Sequence, residues 1–237
     1  MKGEFIMKRI LCLIVLLVGA EQLSAQHYSA WLRTTLQLPI GGNWSTAAEF
    51  QYIRQNDLGT NNPFQKDLMR SYRHWIYYRI NDDAQLEVSP FASYASYNLI
   101  QLESDRHTAP VKEFRATAAI SMQRKIFRQL YLTNRTALED RIFFRSNDVI
   151  RFRQKIGLRY DWERWSVNTY NELLVNTAGV NQDHFFDHNR IGLSVAHSFT
   201  RNMKVELSYL YINRMTKDAT GTLKENRALL NVSYKLK

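Results

Sequence analysis

Cysteine is all but absent from this chain of 237 residues, whose one cysteine is Cys12. That residue lies in a segment with the marks of a secretory leader, so the mature chain is expected to have none. A disulfide framework, a thiol nucleophile and a cysteine metal site are thereby excluded. Long apolar runs are missing as well. The longest, residues 10–20, falls well short of the roughly 20 residues that a membrane-spanning helix needs. A mean hydropathy of −0.41 likewise excludes a helical membrane protein. It does not exclude a barrel, in which only every second strand residue must be apolar. No glycine-rich phosphate loop is present, and no nucleophile or acid–base pair stands out. The expectation is a protein that is not an enzyme and carries no cofactor.

The apolar run follows Lys8-Arg9 and precedes Leu23-Ser24-Ala25 and Gln26. A basic start, a short apolar stretch and a small-residue cut describe a signal peptide. Residues 1–25 are therefore expected to be removed, leaving one domain over 26–237. Cys12 follows Leu11 rather than the small residue of a lipoprotein site. Loss of three basic and two acidic groups takes 32 and 22 to 29 and 20, so the mature charge is 29 − 20 = +9.

What the chain has in abundance is alternation. Phe114, Ala116, Ala118, Ile120 and Met122 interleave with Glu113, Arg115, Thr117, Ser121 and Gln123. The same period of two, which is that of a strand, recurs in 130–141, 150–160 and 165–175. Eleven such segments can be counted, each about ten to thirteen residues, where soluble strands average about five or six. Short and long connections take turns between them, as in outer-membrane barrels. Aromatics gather towards strand ends: Trp44, Tyr160, Trp165 and Phe199 by the short turns, Phe50, Tyr52, Tyr94, Phe114, Phe152 and Tyr209 by the long loops. Two interfacial belts have that signature. The fold class expected is an all-β, antiparallel up-and-down transmembrane β-barrel of about 10–12 strands in the cell outer membrane. An odd count conflicts with the even numbers of bacterial barrels, so a missed strand or one left out of the closure is expected. The third segment, 67–80, spreads Arg70, Arg73, His74 and Arg79 over both faces. In the fourth, Leu86, Val88, Ala92 and Tyr94 read as outward, with a bulge suggested by Pro90. A secreted soluble β-protein is the alternative architecture, but it leaves strand length and the turn–loop alternation unexplained.

The charges lie on one face, towards the long-loop end: Glu113 and Arg115, Arg135, Glu139 and Arg141, Arg151 and Arg153, Glu172 and Arg190. Turned inwards, neighbouring strands would offer opposite charges at similar depth, and ion pairs are expected. A filled, rigid interior is one outcome. A narrow pore or anion-preferring solute channel is the other, because arginine exceeds carboxylate. An outer-membrane enzyme is a third class. Asp183-His184 and Asp187-His188 repeat at a spacing of four, which a metal site or dyad could use; a polar loop explains them as well. His197-Ser198 cannot pair as a nucleophile and base, since adjacent strand residues face opposite ways. The positive charge sits on lumen-facing strands, so nucleic acid is not a partner; membrane lipid and lipopolysaccharide phosphates are. Three polar residues break the apolar face: Thr136, Gln154 and Asn171. With a turn centred between Trp162 and Glu163, Gln154 falls opposite Asn171, and the three form one row. Such a row would pair within itself or mark a contact with a protein partner or a second copy.

Carried by Trp31, Glu113, Arg115, Asn134-Arg135, Glu139, Arg141, Arg151, Arg153, Asn171-Glu172 and Arg190, the sequence resembles domain-of-unknown-function family 2490, an uncharacterised family of outer-membrane-like proteins. The resemblance covers most of the mature chain and implies a barrel. It implies no activity, cofactor or catalytic residue. The end, Tyr234-Lys235-Leu236-Lys237, keeps the alternation but lacks the terminal aromatic usual in barrel-assembly signals.

Overall fold

The computed structural model describes residues 27–144, 146–216 and 219–236. The signal-peptide reading of residues 1–25, Cys12 included, lies outside them. The described chain forms β1 (His27–Gly41), β2 (Trp44–Gln55), β3 (Lys66–Arg79), β4 (Ala84–Ser96), β5 (Val111–Phe127), β6 (Leu130–Phe143), β7 (Val149–Trp162), β8 (Trp165–Ala178), β9 (Phe186–Ser198), β10 (Met203–Met215) and β11 (Thr222–Lys235). They pair in sequence order around one closed barrel. Lengths run from 12 residues in β2 to 17 in β5, beyond the roughly nine to eleven that a tilted membrane strand needs.

Each strand is two-faced because its sequence alternates. In β5, Glu113, Arg115 and Thr117 are buried while Phe114 and Met122 are exposed. Leu132, Leu138, Ile156, Leu158 and Ile191 are likewise exposed on the outer wall. A soluble protein would hide these aliphatic residues; here they form the outside. Aromatic pairs cluster near both strand ends. Trp44 and Tyr78 lie 4.6 Å apart by the short turns, and Phe50 and Tyr72 lie 5.1 Å apart towards the long loops.

Ten of the eleven pairings are antiparallel, and β1 runs parallel to β11 from His27↔Glu225 to Gln37↔Lys235. Among the described residues no strand is missing and none is left out of the closure. The parity conflict resolves differently: an odd number of up-and-down strands brings first and last to the seam in the same direction. A parallel ladder is slightly weaker per residue than an antiparallel one. Open edges in hydrocarbon would cost several kcal/mol per unpaired group, so the parallel seam is much the better solution.

Three local details depart from the sequence reading. The bulge at Pro90 is present, with the register shifting between Ser89 and Ala92. One extra residue turns the rest of the strand over. Ala92 and Tyr94 therefore point into the lumen, opposite Arg115 and Glu113, and both are buried. Tyr94 is not part of an outer belt. Secondly, Trp162 pairs with Trp165, so the turn is Glu163-Arg164, with Glu163 at a φ of +50°. Its centre lies one residue later than expected, which shifts partners by two. Gln154 faces Leu173, and Asn171 faces Ile156. Thirdly, Asp187 and His188 belong to β9 rather than to the preceding loop. The mixed pattern of β3 is real: Arg73 is buried while Arg70 is exposed.

Parallel closure gives a direct test. Oxidation should cross-link the pair Thr34→Cys with Val232→Cys, and the pair Ala30→Cys with Ala228→Cys, since both are direct partners. The mixed pair Ala30→Cys with Val232→Cys should stay open. Non-reducing gel mobility reads each, and cross-linking of only the mixed pair would break the register described.

Candidate functional site

All nine charged residues picked out in the sequence lie on the lumen face, and all join ion pairs. Glu139, with 0% of its side chain exposed, takes Arg151 at 2.5 Å and Arg153 at 2.6 Å. Arg115 at 3.4 Å and Arg73 at 3.8 Å complete its surroundings. Arg141 grips Glu113 with a fork of 2.9 and 2.8 Å, while Arg115 reaches the same carboxylate at 2.7 Å. Arg153 continues to Glu172 at 2.6 Å, which also takes Arg190 at 3.3 Å. Deeper, Arg135 holds Glu87 at 2.8 Å. Charge-assisted forks of this kind are short and geometrically exact, which makes the pairing specific.

The network also includes residues the sequence reading did not name. Asp187 bonds Arg151 at 2.6 Å. Glu225 pairs with Arg227, with Arg214 at 3.3 Å and with the Ser29 hydroxyl at 2.5 Å. Glu225-x-Arg227 repeats the spacing of Glu113-x-Arg115, so the signal was present in β11. Asp187 offered none, because a register shift between Leu174 and Val175 brings it to the lumen.

Burial varies across the network. The side chains of Glu139 and Glu225 are 0% exposed and that of Glu172 is 5% exposed. Those of Arg153, Arg141 and Arg214 are 15%, 19% and 29% exposed. Arg115, Arg151 and Arg227 are nearly as buried as those carboxylates, at 9%, 6% and 4%, whereas Asp187 is 25% exposed, so groups of both signs reach the open space.

That space is two cavities. One of about 680 Å³ lies towards the long loops and is bordered by most of the arginines named. The other, about 390 Å³, opens among the short turns, beside Arg79, Asn81 and Lys204. Gln85, Arg135, Lys155 and Glu206 line both and form the neck between them.

A feature with no counterpart in the sequence reading is an apolar cluster inside the barrel. Trp31, Ile53, Leu68, Leu210, Ile212, Leu223 and Leu229 pack with Leu99 from the loop after β4. That loop is tied down over the mouth. Gln55 donates to the Asn98 carbonyl at 2.8 Å and accepts from the Ile100 amide at 3.2 Å. Arg106 bonds Asp57 on the neighbouring loop at 2.7 Å, and this hydrogen bond holds the Asp57 carboxyl below the usual carboxylate range.

On the outer wall, Thr136 faces Gln154 and donates to it at 2.8 Å. Asn171 does not continue the row. It exchanges two 3.0 Å hydrogen bonds with Asn189 on β9. The Asp-His repeat does not converge: among the described residues no group of three or more His, Cys, Asp or Glu is placed to hold a metal. His197 packs outwards, 4.3 Å from the Trp165 ring.

The sequence family described as Protein of unknown function (DUF2490) matches residues 28–222. No curated protein matches the chain. Among solved structures the chain is similar to NanC porin, at 10% identity and a TM-score of 0.49, over 87% of this chain and 99% of that one. It is similar to an anion-selective porin from Comamonas acidovorans, at 12% identity and a TM-score of 0.37, over 81% and 53%. It is also similar to OmpT, an outer membrane protein of Vibrio cholerae, at 8% identity and a TM-score of 0.37, over 78% and 56%. The chain spans about half the length of these last two.

Glu139 is the hub of the network, so its neutralisation is the sharpest test. Glu139→Gln leaves buried guanidinium groups without their counter-charge and is expected to cost about 3–5 kcal/mol. The urea midpoint of the refolded barrel in detergent, followed by tryptophan fluorescence, should fall accordingly. The exposed change Leu138→Ala, on the same strand but the outer wall, should fall much less.

Proposed function

This chain belongs to the family described as Protein of unknown function (DUF2490), and we propose that it is an outer-membrane barrel whose narrow lumen passes small anions. The observation that carries the reading is the excess of positive charge around the long-loop cavity. Ten arginines and Lys155 border it, against the five carboxylates of Glu49, Glu87, Glu172, Asp187 and Glu206. Rings of arginine or lysine favour anions at close quarters. The buried carboxylates Glu113, Glu139, Glu172 and Glu225 are all engaged by arginine, which leaves none of them free to act as an acid or base.

Placement in the outer membrane is supported by the aliphatic outer wall, the strand lengths and the closed hydrogen-bond ladder. Lipid is the partner we propose for that wall. Arg54 and Arg70 flank the Tyr52 ring at 6.0 and 5.4 Å, near the long-loop ends of their strands, where lipopolysaccharide phosphates would meet them. The Thr136–Gln154 and Asn171–Asn189 bonds satisfy the polar groups of the outer face within the sheet. A protein partner or a second copy is not needed to explain them.

A second reading has its own observation. The apolar cluster and the tethered loop carrying Leu99 narrow the long-loop mouth, as in a barrel plugged for rigidity. Conductance separates the two. The refolded protein in a planar bilayer should give discrete steps, and under a potassium chloride gradient its reversal potential should lie on the chloride side. A silent bilayer with correctly folded protein would favour the plug. Cell fractionation tests the location independently: the mature chain should sediment with outer membranes and require detergent for release. Recovery as a soluble periplasmic protein would end the membrane reading.

A further inference from the structure

We infer that Lys155 sets the anion preference of this lumen, held at the neck by a tyrosine that Gly192 lets lie flat against the wall. The inference rests on the channel reading above. Of the four side chains that line both cavities, Gln85 is neutral and Arg135 is matched by Glu87 at 2.8 Å. Glu206 accepts from Ser208 at 3.2 Å. Lys155 makes no ion pair among the described residues. Its ammonium sits 3.7 Å from the centre of the Tyr170 ring. A cation–π contact orients an ammonium through the ring quadrupole, but it adds no counter-charge. The neck therefore carries two charges that no ion pair among the described residues takes up, Lys155, fixed by the ring, and Glu206, so that loss of the lysine would leave the carboxylate to set the sign.

The placement of Tyr170 is itself built. On the flanking strands it faces Gly157 of β7 and Gly192 of β9. A Cβ at Gly192 would lie 2.3 Å from a ring carbon of Tyr170, and one at Gly157 would lie 2.9 Å from the Tyr170 Cβ. Neither glycine has a positive φ; Gly192 supplies space for the ring, and Gly157 lets the Thr169 carbonyl and the Tyr170 Cβ approach. The ring lies over β9 and packs against the apolar cluster. Any side chain at Gly192 would lift it, with the lysine on its exposed face, into the open space. The same arrangement thus clears the neck and fixes its charge. The solutes it suits are small anions that pass singly, and chloride is the probe.

The test is the reversal potential of single channels in a potassium chloride gradient. Lys155→Gln should lower the anion-to-cation permeability ratio roughly fivefold, the scale of one unit charge acting across a few ångströms of water. Lys155→Arg should keep the ratio. Gly192→Ala should reduce conductance while leaving the sign of selectivity alone, and Arg201→Gln, in a turn, should change neither. Lys155→Cys adds a reversible readout: a thiosulfonate bearing an ammonium group should restore the preference, and one bearing a sulfonate should invert it. A wild type that prefers anions, with Lys155→Gln unchanged, would overturn this inference and leave the channel reading standing. A silent or cation-preferring wild type would remove both. Failure of both Lys155→Gln and Lys155→Cys to insert would also overturn it, because a lysine held by no ion pair is dispensable to the fold.

Discussion

A wall exposed to hydrocarbon must satisfy every backbone amide and carbonyl within itself, and that requirement governs the rest of this structure. It fixes the closure, including the parallel seam between β1 and β11. Closure in turn divides the side chains. Each strand offers alternate residues to one enclosed space and to the surroundings, so a sequence that alternates arginine with phenylalanine can fold only with one set inside. In water the same sheet would have the opposite sense. The hydrophobic effect does not drive this fold as it does a soluble core; the interior is held by charge-assisted hydrogen bonds in a cavity of limited access to water.

Such an interior needs balance. A buried ion pair offers little net stability over an apolar pair of the same shape, but an unmatched buried charge is very costly. Glu139 surrounded by four guanidinium groups, and Glu113 and Glu172 each between two, share each carboxylate among several arginines. Arg153, Arg141 and Arg214 keep 15%, 19% and 29% of their side chains exposed, which lowers the cost of the surplus of arginine. The anion preference proposed for the lumen would then be a by-product of how the wall solves its own electrostatics.

Much of the architecture was legible because period two survives in the sequence wherever a strand has a wet and a dry face. In β5 and β7 the assignment of every residue from 113 to 122 and from 150 to 160 follows from that alone. It failed where one residue breaks the period. Pro90 marked a bulge, but the change of face beyond it, which takes Tyr94 inside, depends on the register against β5. The Glu163-Arg164 turn differs from its expected centre by one residue, and the partner of Asn171 changed with it. The nine lumen charges were visible, while the partner of Arg151 on β9 was not, since Asp187 reaches it through a register shift. The apolar cluster was the least legible feature. Leu210, Ile212 and Leu229 stand in unbroken apolar runs, Tyr209–Ile212 and Ala228–Leu230, where periodicity is silent and only distant contacts choose the face.

The odd number of strands has a consequence for how such a wall can be joined to other things. In an even-stranded barrel both ends of the chain emerge at the same rim. Here β1 begins at the rim of the long loops and β11 ends at the rim of the short turns. Polypeptide joined ahead of His27 and polypeptide joined after Lys235 would therefore open into different compartments. The barrel is in that sense a two-sided fitting, able to display one passenger on each side of the barrier it spans without a single additional crossing.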